Sequence, residues 1–179
     1  DLLDQMDELK KMGPLSSVMN MIPGAAGKMS DEDGYRAVAF ALLMNTYMKY
    51  LSKEYVYMPP TCSCATTSAP AAAAGVAFLH GLTPQQINDM LCTSQVQMCG
   101  VVCDGAKPSC AFRMFVALFG ALEAMMMAEK GIRATNVEGF VHDDLKVTLE
   151  NIYRLQHDVL HNKVDAILWD IVKEQKTIH

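Results

Sequence analysis

Six cysteines lie in the middle third of the chain, and four of them form two groups that could do chemistry. The first group is Cys62-Ser63-Cys64, and the second is the segment CDGAKPSC, which runs from Cys103 to Cys110. Each group precedes a predicted helix, where the helix dipole and unpaired N–H groups stabilise a thiolate. Thiolate is the ligand that soft metal ions and iron–sulfur clusters require. The two groups therefore indicate a metal or cluster site.

The spacing of these cysteines does not by itself select a metal. Zinc sites usually have about two to four residues between paired cysteines, and ferredoxin-type motifs have about two. Six residues separate Cys103 from Cys110, which matches neither pattern. Free cysteines are also often buried and pack as small hydrophobic groups. From spacing alone, ligation and simple burial stand as equal alternatives.

Helices must position the first cysteine group. The capping-box spacing that begins at Ser30 predicts a helix to about residue 57, and Pro59-Pro60 ends it. We expect residues 62–70, rich in Thr, Ser and Cys, to form a loop. A helix of small residues is predicted to follow over 71–79. The first cysteine group is thus expected to lie in a loop between two helices.

The second half of the chain also predicts helices. Thr83, followed by Pro84 and Gln86, is a strong helix start, and that helix should run to about residue 97. Pro108 opens a helix to about residue 130 that Gly131 caps. Residues 135–141 are expected to form a loop or short extended piece. Further helices are predicted over 144–155 and 164–171.

No alternating pattern is long enough for a sheet, so the predicted fold class is all-α. We expect a compact multi-helix domain over residues 30–179, with its two cysteine-bearing loops at helix N-termini. Residues 1–29 are expected to form a short helical appendage and linker.

Composition limits the classes of function. The chain has 179 residues, a net charge of −5 and a pI near 5.5, which argues against nucleic-acid binding because such proteins cluster Lys and Arg. The longest apolar run, residues 69–79, is shorter than the roughly twenty residues that span a bilayer, so no membrane partner is expected. No signal-peptide pattern opens the chain. Clustered thiols without such a signal favour a cytoplasmic location.

The cysteine-rich segments carry a resemblance to a known family. Residues 100–111 (GVVCDGAKPSCA) resemble the signature of the L-cysteine desulfidase family, relatives of the iron–sulfur L-serine dehydratase alpha chain. The segment CSCATTSAPAAAAG at 62–75 resembles that family's cysteine loop and Ala/Gly-rich helix. Residues 138–152, with Asp143, Asp144, Thr148 and Asn151, and residues 164–168 resemble two later segments. The resemblance covers about residues 33–175 in the same order.

This resemblance implies a cofactor and its ligands. In the family, three cysteines hold a 4Fe-4S cluster with one open iron site. The matching positions here are Cys103, Cys110 and Cys62, with Cys64 as the rival for the third ligand. The implied reaction eliminates sulfide from L-cysteine, or water from L-serine, and yields pyruvate and ammonia.

The resemblance also implies substrate-binding residues. Asp104 and Lys107 could hold the amino acid's carboxylate and fix the loop, while the alternative is that Lys107 is solvated and Asp104 only caps a turn. Family members are more than twice as long, and their N-terminal half includes a cysteine-containing segment expected to provide the catalytic base. No counterpart of that segment is found here, so the catalytic residue stays unknown. Either a second chain supplies the missing half, or this is a fragment or a degenerate copy.

Residues 1–27 resemble a different family. DLLDQMDELKKMGPLSSVMNMIPG is similar to the start of the methionine-rich M domain of the signal recognition particle protein. The basic RNA-binding helices of that domain do not follow, so no RNA function is carried over. The alternative function for the whole chain is a non-catalytic helical fragment, or a Met-rich binding module, that retains the fold without a cluster.

Overall fold

The structure, a computed structural model, describes residues 30–54, 59–103, 110–137 and 139–161, and a few residues beyond them (163, 167, 170, 171, 173 and 174). Several predictions fall outside the described residues. They are the appendage over residues 1–29, the substrate-binding pair Asp104 and Lys107, the helix start at Pro108, and most of the helix over 164–171.

The described residues form five α-helices and two short π-helices, with no strand beyond one isolated bridge, which confirms the all-α fold class. The helix α2 packs against α1 and α4, and α3 packs against α4 and α5. In chain order the elements are α1 (Asp31–Leu51), π1 (Cys64–Ser68), α2 (Ala69–Leu79), α3 (Pro84–Met98), α4 (Cys110–Glu129), α5 (Leu145–Leu155) and π2 (Gln156–Leu160).

Helix ends follow the predicted local signals closely. The Ser30 side chain accepts the Asp33 N–H, and Thr83 and Gln86 form a complete capping box. Asp144 caps α5 by accepting the N–H of Lys146. Gly131 adopts a φ of 75° at the end of α4, as a glycine C-cap requires.

Two helix boundaries were predicted wrongly. The helix α1 ends at Leu51 rather than near residue 57, because the Ser52 hydroxyl bonds back to the Met48 carbonyl and Lys53 enters the left-handed region with a φ of 54°. The segment over 62–70 is helical rather than a loop. The hydroxyls of Thr66 and Thr67 donate to the carbonyls four residues earlier. These polar side chains therefore hydrogen-bond within the helical turn and do not compete with it.

Small residues let the helices approach each other closely around α2. Four of its alanines belong to one buried cluster with Met48 of α1, Leu91 of α3 and Ala124 of α4. They are Ala71, Ala73, Ala74 and Ala77. A Cβ placed on Gly75 would lie 2.6 Å from the Ala37 carbonyl oxygen of α1, so only glycine allows this approach. The Ala-rich segment is thus the central packing element of the domain.

The loop between α4 and α5 is tied to α3 by polar side chains. Asn88 donates to the Asp143 carbonyl at 2.8 Å and accepts the Leu145 N–H at 2.9 Å. Arg133 forms an ion pair with Asp143 at 2.6 Å, which raises the pKa of its guanidinium. Thr148 accepts the His142 N–H at 3.0 Å. These residues therefore hold the loop in place.

The helix α4 is long and apolar enough to cross a membrane, by length and composition alone. Arg113 and Glu123 interrupt its apolar sequence, so it contains no long uninterrupted apolar run. It packs against α2, α3 and π1, and four of its alanines are buried: Ala117, Ala121, Ala124 and Ala128. Its opposite face carries four large side chains with exposures of 54–77%. They are Phe112, Phe115, Val116 and Phe119, and we call them the α4 apolar face.

Candidate functional site

Backbone pairing brings the two cysteine groups side by side. Thr61 and Val102 form an isolated antiparallel bridge. The Cys62 N–H donates to the Val101 carbonyl at 2.7 Å, and the Cys103 N–H donates to the Pro60 carbonyl at 2.8 Å. Cys62 and Cys103 are 41 positions apart in the chain, so this contact is a product of the tertiary fold. The predicted proximity of the two groups is present in the backbone.

Cys110 and Cys64 lie in the same region. Cys64 opens π1 and Cys110 opens α4, and these two helices pack against each other. The side chain of Cys64 hydrogen-bonds with that of Cys62 and interacts electrostatically with Cys110. Burial, followed by the charges of Cys62 and Cys110, raises the pKa of the Cys64 thiol. The Cys62 and Cys110 thiols thus each lie within electrostatic range of the Cys64 thiol.

The other two cysteines belong to neither of the two cysteine groups. Cys92 is buried in α3, with its sulfur 3.6 Å from the Thr148 hydroxyl of α5. Cys99 is the C-cap of α3. All six cysteines are free thiols. Cys92 and Cys99 therefore provide matched controls for experiments on the other four.

Cys92 is expected to resist alkylation. Burial raises the pKa of its thiol to about 11, so at pH 8.5 the reactive thiolate is under about 1% of the population. In the folded chain we expect iodoacetamide to modify Cys92 at least about 100-fold more slowly than in urea. Mass spectrometry of timed samples measures both rates. Equal rates in folded and unfolded chains would contradict this placement.

The four cysteines of the two groups are of the right residue type for an iron–sulfur cluster, because cysteine thiolates are the usual ligands of such clusters. Cys62 is 2% exposed and borders an apolar cluster that includes Ala65, Ala69 and Ala117. Among the residues that the structure describes, no three His, Cys, Asp or Glu side chains are arranged to hold a metal ion. Cluster binding therefore requires the thiols to turn toward a common point.

A cavity of about 260 Å³ lies near the segments that carry Cys62 and Cys64. Ala65, which follows Cys64, and Val101, which pairs with Cys62, both line it. Met98, Phe112 and Val116 complete an almost entirely apolar wall, and Arg113 is the charged residue in the lining. The cavity is thus open to a small molecule beside the cysteines.

Three polar residues at this site were missed by sequence reasoning. The Ser63 hydroxyl, between the first two cysteines, donates to the Glu54 carboxylate at 2.5 Å. Gln95 and Gln156, both buried, reach the same segment from α3 and π2. The sequence contains a signal for Gln95 alone. Pro70 has no N–H, so the Thr66 carbonyl four residues earlier needs another donor, which Gln95 provides.

A protein-family comparison now identifies the chain. The family model described as the serine dehydratase alpha chain matches residues 17–168. This chain belongs to the serine dehydratase alpha-chain family. The match begins upstream of residue 33, where the resemblance was expected to start, and it includes part of the segment assigned to the appendage. The predicted family is confirmed.

Curated relatives of this alpha-chain domain carry the name UPF0597 protein. The chain is 32% identical to the one from Shewanella pealeana over 133 residues, which are 74% of this chain and 30% of the relative. It is 30% identical to one from Oleidesulfovibrio alaskensis over 147 residues, or 82% of this chain and 33% of the relative. The chain therefore spans about a third of the length of these relatives. No solved structure matches it significantly.

Proposed function

We propose that this chain is the cluster-binding part of an amino-acid lyase that acts on L-cysteine or L-serine. The observation that carries the proposal is the backbone pairing of the Cys62 and Cys103 segments in a serine dehydratase alpha-chain domain, with the helices that begin at Cys64 and Cys110 packed together. Cys62, Cys103 and Cys110 are the proposed ligands of a 4Fe-4S cluster, and Cys64 is the rival for Cys62. An open iron site would supply Lewis acidity toward the substrate.

The proposed reaction is a β-elimination without a redox change. A base takes the α-proton, its electron pair forms the Cα–Cβ double bond, and sulfide or water leaves from Cβ. The resulting enamine tautomerises, and water hydrolyses it to pyruvate and ammonia. Cysteine and serine are small enough for the cavity of about 260 Å³ beside the thiols. Asp104 and Lys107, in the segment between two proposed ligands, are the proposed contacts for the carboxylate.

The proposed catalytic base lies in the part of the longer family members that this chain does not match. The chain covers about a third of its relatives, and the unmatched two thirds of such a relative would supply the base. The α4 apolar face, next to the cavity, supports docking of that remainder, because soluble domains rarely expose so many aromatic side chains on one helix face. Six free thiols also support a reducing compartment such as the cytoplasm.

Polar substitution of the α4 apolar face is expected to prevent this docking. We expect the tagged chain to copurify with the unmatched part of the Shewanella pealeana relative when both are co-expressed. The variant Phe112→Ser/Phe115→Ser/Phe119→Ser should lose that partner. The three phenylalanines that it removes provide most of the exposed apolar area of this face. The control Glu129→Ser, at the far end of α4, should retain it. Equal recovery with the triple variant, or partition of the chain into membranes, would contradict the docking.

An elimination assay tests the activity itself. The chain and the unmatched part of the relative are reconstituted anaerobically with iron and sulfide, desalted, and given L-cysteine or L-serine. Pyruvate formation that disappears in Cys103→Ala and persists in Cys99→Ala is the expected result. An assembly that holds iron but forms no pyruvate from either amino acid would favour the non-catalytic alternative.

A further inference from the structure

Two buried glutamines hold the segment that carries Cys62 and Cys64. The Gln95 side chain, 0% exposed, donates through Nε2 to the Thr66 carbonyl at 2.7 Å. The Gln156 side chain, 2% exposed, donates through Nε2 to the Thr61 hydroxyl at 2.5 Å. The two bonds thus lie on either side of the two cysteines along the chain. They come from α3 and π2, which are far from this segment in sequence.

The Gln95 bond supplies a hydrogen-bond donor that the local helix lacks. In a regular α-helix the N–H of residue 70 would donate to the carbonyl of Thr66. Residue 70 is proline and has no N–H, and the preceding turn is widened into the π-helix π1. A buried carbonyl without a donor is destabilising, so a donor from outside the helix is needed. The amide of Gln95 supplies it.

The Gln156 bond anchors the other end of the segment. Thr61 is 2% exposed and pairs through its backbone with Val102, next to Cys103. Gln156 opens π2, so both π-helices of the described structure meet the cysteine segment. Such helices are rare and occur frequently at functional sites. The contact therefore links the end of α5 to the meeting point of the two cysteine groups.

The chemistry of Gln95 argues against a role in packing alone. A buried amide must satisfy a donor and an acceptor, and the Gln95 Oε1 atom has no hydrogen-bond partner among the described residues. An apolar side chain of the same length would fill the space without burying that oxygen. What the amide adds is the bond to Thr66, which fixes π1 directly after the cysteines.

We propose that Gln95 and Gln156 are positioning residues that hold the Cys62–Cys64 segment in register with Cys103 and Cys110. They touch neither substrate nor cluster and act through the backbone of Thr66 and the side chain of Thr61. The purpose of this positioning rests on the proposed function, in which the thiols are ligands. The positioning itself is a property of the iron-free chain and can be measured there.

Thiol labelling of the iron-free chain tests the proposal. The variants Gln95→Met and Gln156→Met keep the side-chain length and remove the amide, and Gln97→Met on the exposed side of α3 is the matched control. We expect Cys62 to be alkylated about tenfold faster in both Gln variants than in wild type, because the segment opens locally more often. Cys92, in the main core, reports global unfolding, so the ratio of Cys62 to Cys92 rates is the readout.

A second variant keeps the test decisive if a buried Gln variant folds poorly. Thr61→Val is nearly isosteric and removes only the acceptor of the Gln156 bond, and it should raise the same ratio. In the reconstituted chain, the Gln variants are expected to alter the cluster's EPR signal, whereas Gln97→Met should leave it unchanged. Unchanged labelling ratios in all three variants would overturn the proposal. A wild-type chain that takes up no iron would instead contradict the proposed function and leave the labelling comparison valid.

Discussion

Replacing Cys110 with alanine is expected to abolish the visible absorption that the chain acquires on anaerobic incubation with iron and sulfide. The physical reason is that Cys110 is one of the three proposed thiolate ligands, so its removal leaves the cluster with Cys62 and Cys103. Cys110 opens α4, which packs against π1, and the Cys110 charge influences the Cys64 thiol. Absorption spectra and iron content of desalted protein measure the effect.

The remaining cysteines provide controls for that experiment. Cys92→Ala and Cys99→Ala remove thiols that lie elsewhere, so both variants should keep the colour. Cys62→Ala and Cys64→Ala, compared directly, show which of the two is the third ligand. Full colour in Cys110→Ala would exclude Cys110 as a ligand.

Gly75→Ala is expected to destabilise the fold strongly. Its Cβ would lie 2.6 Å from the Ala37 carbonyl oxygen and 3.0 Å from the Ala41 Cβ. A backbone oxygen cannot turn aside as a side chain can, so α1 and α2 must separate, at a cost of about 1–3 kcal/mol or more. Urea denaturation followed by circular dichroism measures the loss.

Gly120→Ala is the matched control on α4. Its Cβ would meet the terminal methyl of Met98 at 3.0 Å, and that flexible side chain can move. Since alanine favours a helix over glycine by about 1 kcal/mol, this variant should be near neutral or slightly stabilised. A Gly75→Ala chain as stable as wild type would show that α1 and α2 do not pack at this distance.

Local signals in the sequence predicted much of the fold. The Thr83 capping box and the Asp144 cap begin helices where expected, and the Gly131 C-cap ends one where expected. The cysteine segment was predicted as a loop because Ser and Thr usually compete with helix formation. Its helical form depends on contacts with Glu54 and Gln95, which no local pattern reveals.

The candidate site was predicted through family resemblance rather than spacing. Six residues between Cys103 and Cys110 match no standard ligand motif. The bonds of Cys62 and Cys103 to each other's segments are long-range, so they follow from the packing of the whole domain. Gln156 reaches Thr61 from 95 residues away, and its role is visible only in three dimensions.

Iron uptake by the wild-type chain tests the central claim most directly. The chain is incubated anaerobically with ferrous iron and sulfide beside a known 4Fe-4S protein, and both are desalted and analysed for iron and by EPR after reduction. Convergence of Cys62, Cys103 and Cys110 on one cluster predicts a brown protein with about four irons per chain and a reducible EPR signal. A colourless, iron-free chain, obtained while the known protein loads fully, would contradict the account.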